Sequence, residues 1–520
     1  MQYKFIIKNI ALFMTNYKTS ILFISVLFCF QTAITQNISG KIIDSQTGES
    51  IPYATILVNN AENLVSNAEG FFTLSENNSS ISSQLTISYL GYAPQKLTVG
   101  DLIKQQNIIK LQAGIIELNE VSISNKKLSP YEIMTNVKAN FTQNYAQNSI
   151  PKKDMIFFRE TTHFKPSILE VEIDKSTEFS KNELAKANAR ITAFTSKLIS
   201  QPPKQFTDIL CNSYSHLTKK EDKSYYSSKL EVLKATKLKN ENGSTSLEEL
   251  QKSATDIVLT LLDSTKYYRV KSGLFGSRDT ISLRKNFNKK KSKIKSNQLT
   301  STKANLNSFL IENNITNTTR FEFIHDYESY HYVFEGATYT SENEFVYILS
   351  FKPKKNKAKF KGKLYIAEND YAIIRADYKL EEGKKVNGFN FKFLLGVKSM
   401  ENIGQGTVIY KNSPVGNGYY LQYALQEKGQ YFYLNRPLKF IELTNEDKDV
   451  VAFDLKIEGN SNEKFEYLNM NRTESSDAII GKITEDDFAF IKIKSFDPKI
   501  WKDYNGIEPL EEMKQFKAID

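Results

Sequence analysis

A hydrophobic period of two, sustained through much of the C-terminal part of this chain, constrains its fold more than any other feature. Phe360, Gly362, Leu364 and Ile366 alternate with Lys359, Lys361, Lys363 and Tyr365, and Ala372, Ile374, Ala376 and Tyr378 alternate with Arg375 and Asp377. Side chains two apart share one face of a strand, so each run predicts a strand with one apolar and one wet face. Glu368-Asn369-Asp370 between the two runs predicts a tight hairpin. Phe389, Phe391, Phe393, Leu395 and Val397 predict a further apolar face, Tyr419 to Leu425 another, and Phe453, Leu455 and Ile457 a third. The expected result is a long antiparallel meander over 321–520, an open barrel being one form it can take. Composition agrees: 34 Phe and 28 Tyr against one Trp favour half-buried sheets over helical bundles.

At 520 residues the chain exceeds the size at which one core keeps growing, which predicts several folded units. Residues 1–36 have the layout of an export signal. Ile21–Phe30 is an unbroken apolar run preceded by Lys4, Lys8 and Lys18, and Thr32 to Gln36 offers a cleavage region. Ten apolar residues are too few to span a bilayer as a stable helix, so no transmembrane helix is expected after processing. Met14 is an alternative start to Met1. Of the two cysteines, Cys29 lies inside the signal, with bulky neighbours that do not suit lipid attachment. Cys211 alone remains, so stability must come from core burial rather than disulfides. Loss of the three signal lysines leaves 66 basic against 59 acidic residues, an imbalance too mild to imply nucleic acid.

From Ile38 short alternating runs are separated by turn residues: Ile38 to Ile43, Tyr53 to Val58, Phe71 to Leu74 after Glu69-Gly70, Leu85 to Tyr89, and Ile108 to Leu111. The motifs Ile38-Ser39-Gly40-Lys41-Ile42-Ile43-Asp44, Thr47 to Thr55, Asn67-Ala68-Glu69-Gly70-Phe71-Phe72 and Ser88-Tyr89-Leu90-Gly91-Tyr92 resemble the carboxypeptidase regulatory-like domain found at the front of Bacteroidetes-type envelope proteins. The resemblance implies a transthyretin-like β-sandwich over 37–113 without catalytic residues of its own. It departs at Asn59-Asn60, where the family often has glycine. A linker is expected over 114–128. Within it Leu118 to Ile123 resembles the segment that follows this module in TonB-dependent receptors, but the plug and large barrel of those receptors do not follow here.

A helix-rich region is expected over 129–320. Ser129-Pro130-Tyr131-Glu132 is a capping box with proline at the first helical position, Ser180 and Glu183 make a second, and Ser246 and Glu249 a third. Each heads an apolar stripe of helical period. A basic connector is expected over 284–314, exposed and dispensable for folding. Arg284 to Lys295 is its densest charge run, and Phe287 is the one aromatic within that run.

No catalytic, cofactor or metal site is legible. His325-Asp326-Tyr327-Glu328 has the H-x-x-E spacing of zinc carboxypeptidases, but on a strand His325 and Glu328 would face opposite ways. His163, His216 and His331 stand in no partner context, and no G-x-S-x-G elbow occurs. Cys211 has apolar neighbours and is expected buried. Gly404-Gln405-Gly406 lacks a phosphate-binding context and predicts a turn or bulge. The pairs Glu381-Glu382 and Asp486-Asp487 match any acidic loop.

The sequence therefore predicts a mainly β protein: an N-terminal sandwich, a helical middle and a large C-terminal sheet. It points to a non-enzymatic exported protein, periplasmic or outer-membrane-associated, with the sandwich as adaptor and the sheet as binding or assembly part. Outer-membrane or periplasmic proteins, lipid or glycan are the partner classes, and nucleic acid is excluded. The alternatives are an envelope hydrolase acting on glycan or peptide, and a lipid carrier. For the latter, Lys359 to Leu380 resembles the central strands of LolA-like periplasmic carriers. On that reading helices cover the apolar face of the sheet and leave an apolar cavity; on the other they pack it into an ordinary core.

Overall fold

A computed structural model describes residues 38–114, 129–146, 149–177, 179–220, 223–239, 266–273, 275–282, 297–443, 450–504 and 506–517. The segment read as an export signal, the segment resembling the receptors, the Ser246 box and the Arg284 to Lys295 run lie outside these residues.

The N-terminal unit is a sandwich of two sheets. Strands β1 (Ile38–Asp44), β4 (Phe71–Leu74) and β7 (Ile108–Leu111) form one, with β7 parallel to β1, and β2 (Thr55–Val58), β3 (Glu62–Val65), β5 (Gln84–Ser88) and β6 (Gln95–Thr98) form the other. A short helix, α1 (Val99–Lys104), carries a complete capping box from Thr98 and Asp101. Ile42, Ile56, Leu64, Phe72, Ile87 and Ile109 fill the interior. At Asn59 and Asn60 φ is +50° and +56°. Asparagine tolerates this left-handed conformation better than other non-glycine residues, so the β2–β3 turn forms without the family's glycine.

The remaining strands make one sheet of 14 strands, which does not close into a barrel. Its spine is the expected meander: β13 (Tyr330–Tyr339), β14 (Phe345–Pro353), β15 (Phe360–Ala367), β16 (Ile373–Leu380), β18 (Val397–Asn412), β19 (Tyr419–Glu442) and β20 (Val450–Glu474) pair in that order. The strands begin at Tyr330 rather than Phe321, because Glu322–His325 and Tyr327–Ser329 are helical turns. β17 (Gly388–Phe391) pairs with β18 beside this path, and β11 (Tyr267–Ser272) pairs with β12 (Phe275–Ser282) and β19.

The middle region differs from the helix-rich expectation. It supplies three long strands, β8 (Lys152–Ser176), β9 (Lys204–Lys220) and β10 (Lys223–Lys239), which extend the same sheet from the open edge of β20. The physical reason lies in burial on both faces. Consecutive Ile156, Phe157 and Phe158 are all buried: Ile156 and Phe158 belong to the main core, whereas Phe157 packs on the other side with Leu210, Tyr423 and Leu468. A strand covered on both faces loses its alternation and gives no period-two signal.

Two expected helices are present, α2 (Pro130–Tyr145) and α3 (Lys181–Ser200), each with its full capping box. α2 sets Ile133, Met134 and Val137 into the main core. α3 places Ile191 and Leu184 against Ile173, Phe440 and Phe453. The second half of the expected connector is also a helix, α4 (Gln298–Asn313), capped by the Asn297 side chain. Its Leu299, Leu306 and Phe309 are buried in the main core, and Phe309 stacks on Phe465 with ring centroids 4.1 Å apart. The stripe escaped notice because Asn and Ser separate its few apolar residues.

The sheet is thus a central layer, with α2 and α4 on one face and the sandwich on the other. Because α4 is packed, Phe309→Ala should lower unfolding free energy by about 3 to 5 kcal/mol in urea titrations, the range for truncating a buried phenylalanine. A loss below about 1 kcal/mol would restore the exposed-connector view.

Candidate functional site

Where α2 and α4 diverge over the sheet they leave a cleft of about 450 Å³ that opens to solvent. Its floor comes from adjacent strands in register. Arg472 on β20 lies opposite Asp154 on β8, Asp154 opposite Ser213 on β9, and Ser213 opposite Leu230 on β10. Next to this row Lys152, Ser215 and Ser228 line up in the same way. Leu306 and Leu310 of α4 form the apolar wall, and Tyr419, Tyr420 and Tyr467 complete the lining.

The charged pair in this floor is highly organised. Arg472 donates from Nε to Asp154 Oδ1 at 2.7 Å and from Nη2 to Oδ2 at 2.8 Å, while its guanidinium lies 4.2 Å from the Tyr420 ring centroid. Both side chains are mostly buried, so each neutralises a charge that would otherwise be costly to desolvate. Other lining groups are occupied too. Tyr145 donates its hydroxyl proton to Ile373 O, Tyr410 Oη accepts from the Ile315 amide, and Lys303 pairs with Glu485 at 2.7 Å. The cleft therefore combines largely buried tyrosine rings, of which Tyr419 is the more exposed, with serines and a fixed ion pair, a lining of mixed polar and apolar character. The wholly apolar cavity expected for an acyl chain is not what these residues form.

Among the described residues, none weighed from the sequence as catalytic or metal-ligating enters the cleft. His325 sits on a helical turn rather than a strand, its Nε2 2.9 Å from Ile315 O and its ring against Phe141. Glu328 is exposed on the next turn and His331 is exposed on β13. His216 Nδ1 lies 2.6 Å from Asp477 Oδ1 on a different edge. Burial, assisted by Lys204, pulls His163 below its ordinary range. Among the described residues no three metal-ligating side chains come together. Cys211 is fully buried in the main core, and burial raises its thiol far above the reactive range. Gly404 to Gly406 lie mid-strand, in regular register with Gln426 to Lys428, instead of forming a turn or bulge. A Cβ at Gly406 would meet Leu425 O at 2.5 Å and the Tyr378 hydroxyl at 2.6 Å, so this glycine serves close packing. Glu381 pairs with Lys361, whose hydrogen bond lowers its carboxyl, and Asp487 accepts from the Leu299 amide at the start of α4. Arg472 and Asp154 left no local trace, being 318 residues apart.

On the opposite face the sandwich is fastened to the sheet. Tyr53 stacks on Tyr423 at 5.6 Å, and Arg375, almost fully buried, lies 4.5 Å from the Tyr89 ring while donating to Asp377 Oδ2. Asn63 takes a hydrogen bond from Lys411 Nζ at 2.8 Å and donates to Met470 O. Burial at this seam pushes Lys411 down to about 8.

A family model of the CarboxypepD_reg-like domain matches residues 38–123, the segment that forms the sandwich and the stretch just after it. No curated protein and no solved structure matches the chain. Among the described residues no helix is long and apolar enough to cross a membrane.

Two outcomes follow from these contacts. Arg472→Ala leaves Asp154 buried without its partner and should cost about 3 to 5 kcal/mol. Arg472→Ala/Asp154→Ala should cost clearly less than the sum of the single changes, as a double-mutant cycle in urea would show; strict additivity would mean the pair is not coupled. For Lys411 the folded state holds fewer protons than the unfolded state between about pH 8 and its ordinary range near 10.5. Its contribution to stability is therefore fully present above that range and is lost as pH falls through about 8. Lys411→Met should thus gain on the wild type at pH 7, with the difference shrinking by pH 10. A difference independent of pH would show that the ammonium is well solvated.

Proposed function

We propose that this chain is a non-enzymatic exported protein of the cell envelope, in which the sandwich is an adaptor and the large sheet binds a glycan in the cleft between α2 and α4. The observation that carries this reading is the lining of the cleft. Tyr419, only half-buried, supplies an aromatic ring, Leu310 an apolar wall, Ser213 and Ser228 lie on the floor, and the Arg472–Asp154 pair fixes it. Sugar rings have an apolar face and a hydroxyl rim, which matches that combination. The charged groups are already paired with one another, which suits a neutral or weakly charged ligand better than a strong anion.

Export is supported by the apolar run Ile21–Phe30 behind Lys4, Lys8 and Lys18. A periplasmic or outer-membrane-associated location follows from that signal together with the resemblance of the sandwich to envelope modules. The adaptor role is supported by the way the sandwich leaves the cleft face of the sheet free.

Titration calorimetry with soluble muropeptides and with oligosaccharides released from lipopolysaccharide tests the binding role. Saturable binding is expected, weakened at least about tenfold, or ~1.4 kcal/mol, by Leu310→Trp, which fills the cleft from its α4 wall. Binding that is absent, or indifferent to this substitution, would remove the cleft from the function. N-terminal sequencing of the native protein tests export: a mature chain starting near Asn37 is expected, and a cytosolic chain starting at Met1 or Met14 contradicts it.

A further inference from the structure

At the end of the sheet remote from the cleft, the chain leaves β17, turns through Lys392–Leu395 and returns as β18. The sequence pattern predicted one continuous apolar face from Phe389 to Val397. Instead the helical turn interrupts it and displays its side chains outward. Phe393 is 105 % exposed and Leu394 80 %, while Phe389 and Phe391 stack on each other at 5.7 Å and remain nearly half exposed. Four large apolar side chains in six residues make a concentrated patch, unlike the scattered single exposures found on any protein surface.

The patch is held in shape. Gly396 ends the turn at φ +66°, and a Cβ there would collide with Asn435 O. The Asn435 amide donates to Gly396 O at 2.7 Å, tying the turn to β19. Lys392 lies with its ammonium 3.9 Å from the Tyr433 ring centroid, and Lys398 lies 5.1 Å from that of Tyr431. Phe393 and Leu394 are thus presented beyond a collar of lysines and tyrosines.

Within the segment itself the charge has one sign. Between Glu382 and Glu401 the chain carries Lys384, Lys385, Lys392 and Lys398 and no acid. Two carboxylates at its border are hydrogen-bonded: Glu401 accepts from Asn387 at 2.8 Å, and Glu458 accepts from the Tyr431 hydroxyl at 2.8 Å. Apolar tips, amphipathic tyrosines behind them and flexible lysines around them match the layering of a lipid interface. Acyl chains lie deepest there, aromatic rings sit at the headgroup level, and ammonium groups reach anionic phosphates.

We propose that Phe389–Leu394 is an interfacial anchor that seats in one leaflet of an anionic phospholipid bilayer. The anchor enters only the headgroup and upper acyl layer, since one turn and one short strand reach no further. Its attraction depends on the lysines as well as the apolar tips, each lysine near the surface being worth roughly a fivefold change in partitioning at moderate ionic strength. The anchor lies outside the ligand cleft, so neither feature stands or falls with the other.

The single tryptophan, Trp501, permits a direct test on the full chain. In a Trp501→Phe background, Phe393→Trp places the only indole at the tip. With phosphatidylglycerol vesicles its emission should shift to the blue and be quenched by lipids brominated on the acyl chain. Binding to pure phosphatidylcholine should be at least about tenfold weaker. Phe393→Ser/Leu394→Ser should reduce sedimentation with anionic vesicles at least about tenfold, and Lys385→Gln/Lys398→Gln should reduce it while weakening its salt dependence. Unchanged circular dichroism and thermal midpoint in both variants would establish that the fold is intact. Absence of quenching at saturating lipid would overturn the anchor. So would undiminished sedimentation of the serine variant. A blue shift that grows with protein concentration in the absence of lipid would overturn it in favour of a second copy pairing along the free edge of β17.

Discussion

Everything in the large sheet depends on the pairing of β8 with β20. Lys152 lies opposite Glu474 and the ladder continues to Ser176 opposite Val451, joining strands about 300 residues apart in the chain. Without this ladder the meander would end at β20, and β8, β9 and β10 would have no sheet to join. Closing so long a loop costs conformational entropy, though the cost grows only slowly with length. The return is large because β8 and β9 are covered on both faces over Ile156–Phe158 and Ile209–Cys211. Phe157 meets the sandwich side while Ile156 and Phe158 meet the helices. The cleft is a product of the same seam, since Asp154 and Arg472 come from its two sides.

The sandwich occupies a position that explains the polar character of the sheet beneath it. Arg159 on β8 forms a bidentate pair with Asp208 on β9, both at 2.7 Å and both buried, and Glu466 of β20 lies opposite Arg159 in register. Arg375 is enclosed farther along the same face between the Tyr89 and Tyr365 rings. Such pairs add little net stability over apolar residues of the same shape, but Arg375 also donates to the Tyr89 hydroxyl of the sandwich at 3.2 Å, a partly buried hydrogen bond that a mismatched docking would forfeit. The face therefore selects one placement of the sandwich. The C-terminal segment joins in, with Pro509 O accepting from Asn67 and the Glu511 amide donating to Glu69.

What could be read in advance follows from where each residue's partners lie. The sandwich strands are short, each bounded by turn residues, and their pairing and their own core lie within the module, so local pattern sufficed to identify the CarboxypepD_reg-like domain. The boxes at Ser129 and Ser180 are local by nature and appear intact. Strand β15 alternates where Lys361 and Lys363 stay partly or fully exposed beside buried Phe360 and Leu364, and β16 alternates because the residues under the sandwich, Arg375 and Asp377, are charged. β8 and β9 escaped because both of their faces are covered, and α4 because its stripe is thin. The run from Phe389 to Val397 misled because alternation persists across a helical turn, where only Gly396 and its contact with β19 reveal the break. Arg472 and Asp154 were invisible for a simpler reason: only the completed sheet brings them together.

The outer edge of β10 closes the sheet in a way that bears on how the protein avoids pairing with its neighbours. An unpaired strand at that position would offer a row of free amides and carbonyls to any extended segment. Instead Ile491–Ile493 lies parallel along Thr236 to Leu238, and Lys229 donates to the carbonyls of Gly481 and Ile483. This short strip has little strand character of its own and is held mainly by what it touches. It works as a selvedge, finishing the fabric where it would otherwise fray into intermolecular sheet. A nick in the chain near residue 485 would leave the catalogue of buried core residues almost unchanged, yet it would loosen the strip and uncover this edge of β10 as a template for aggregation.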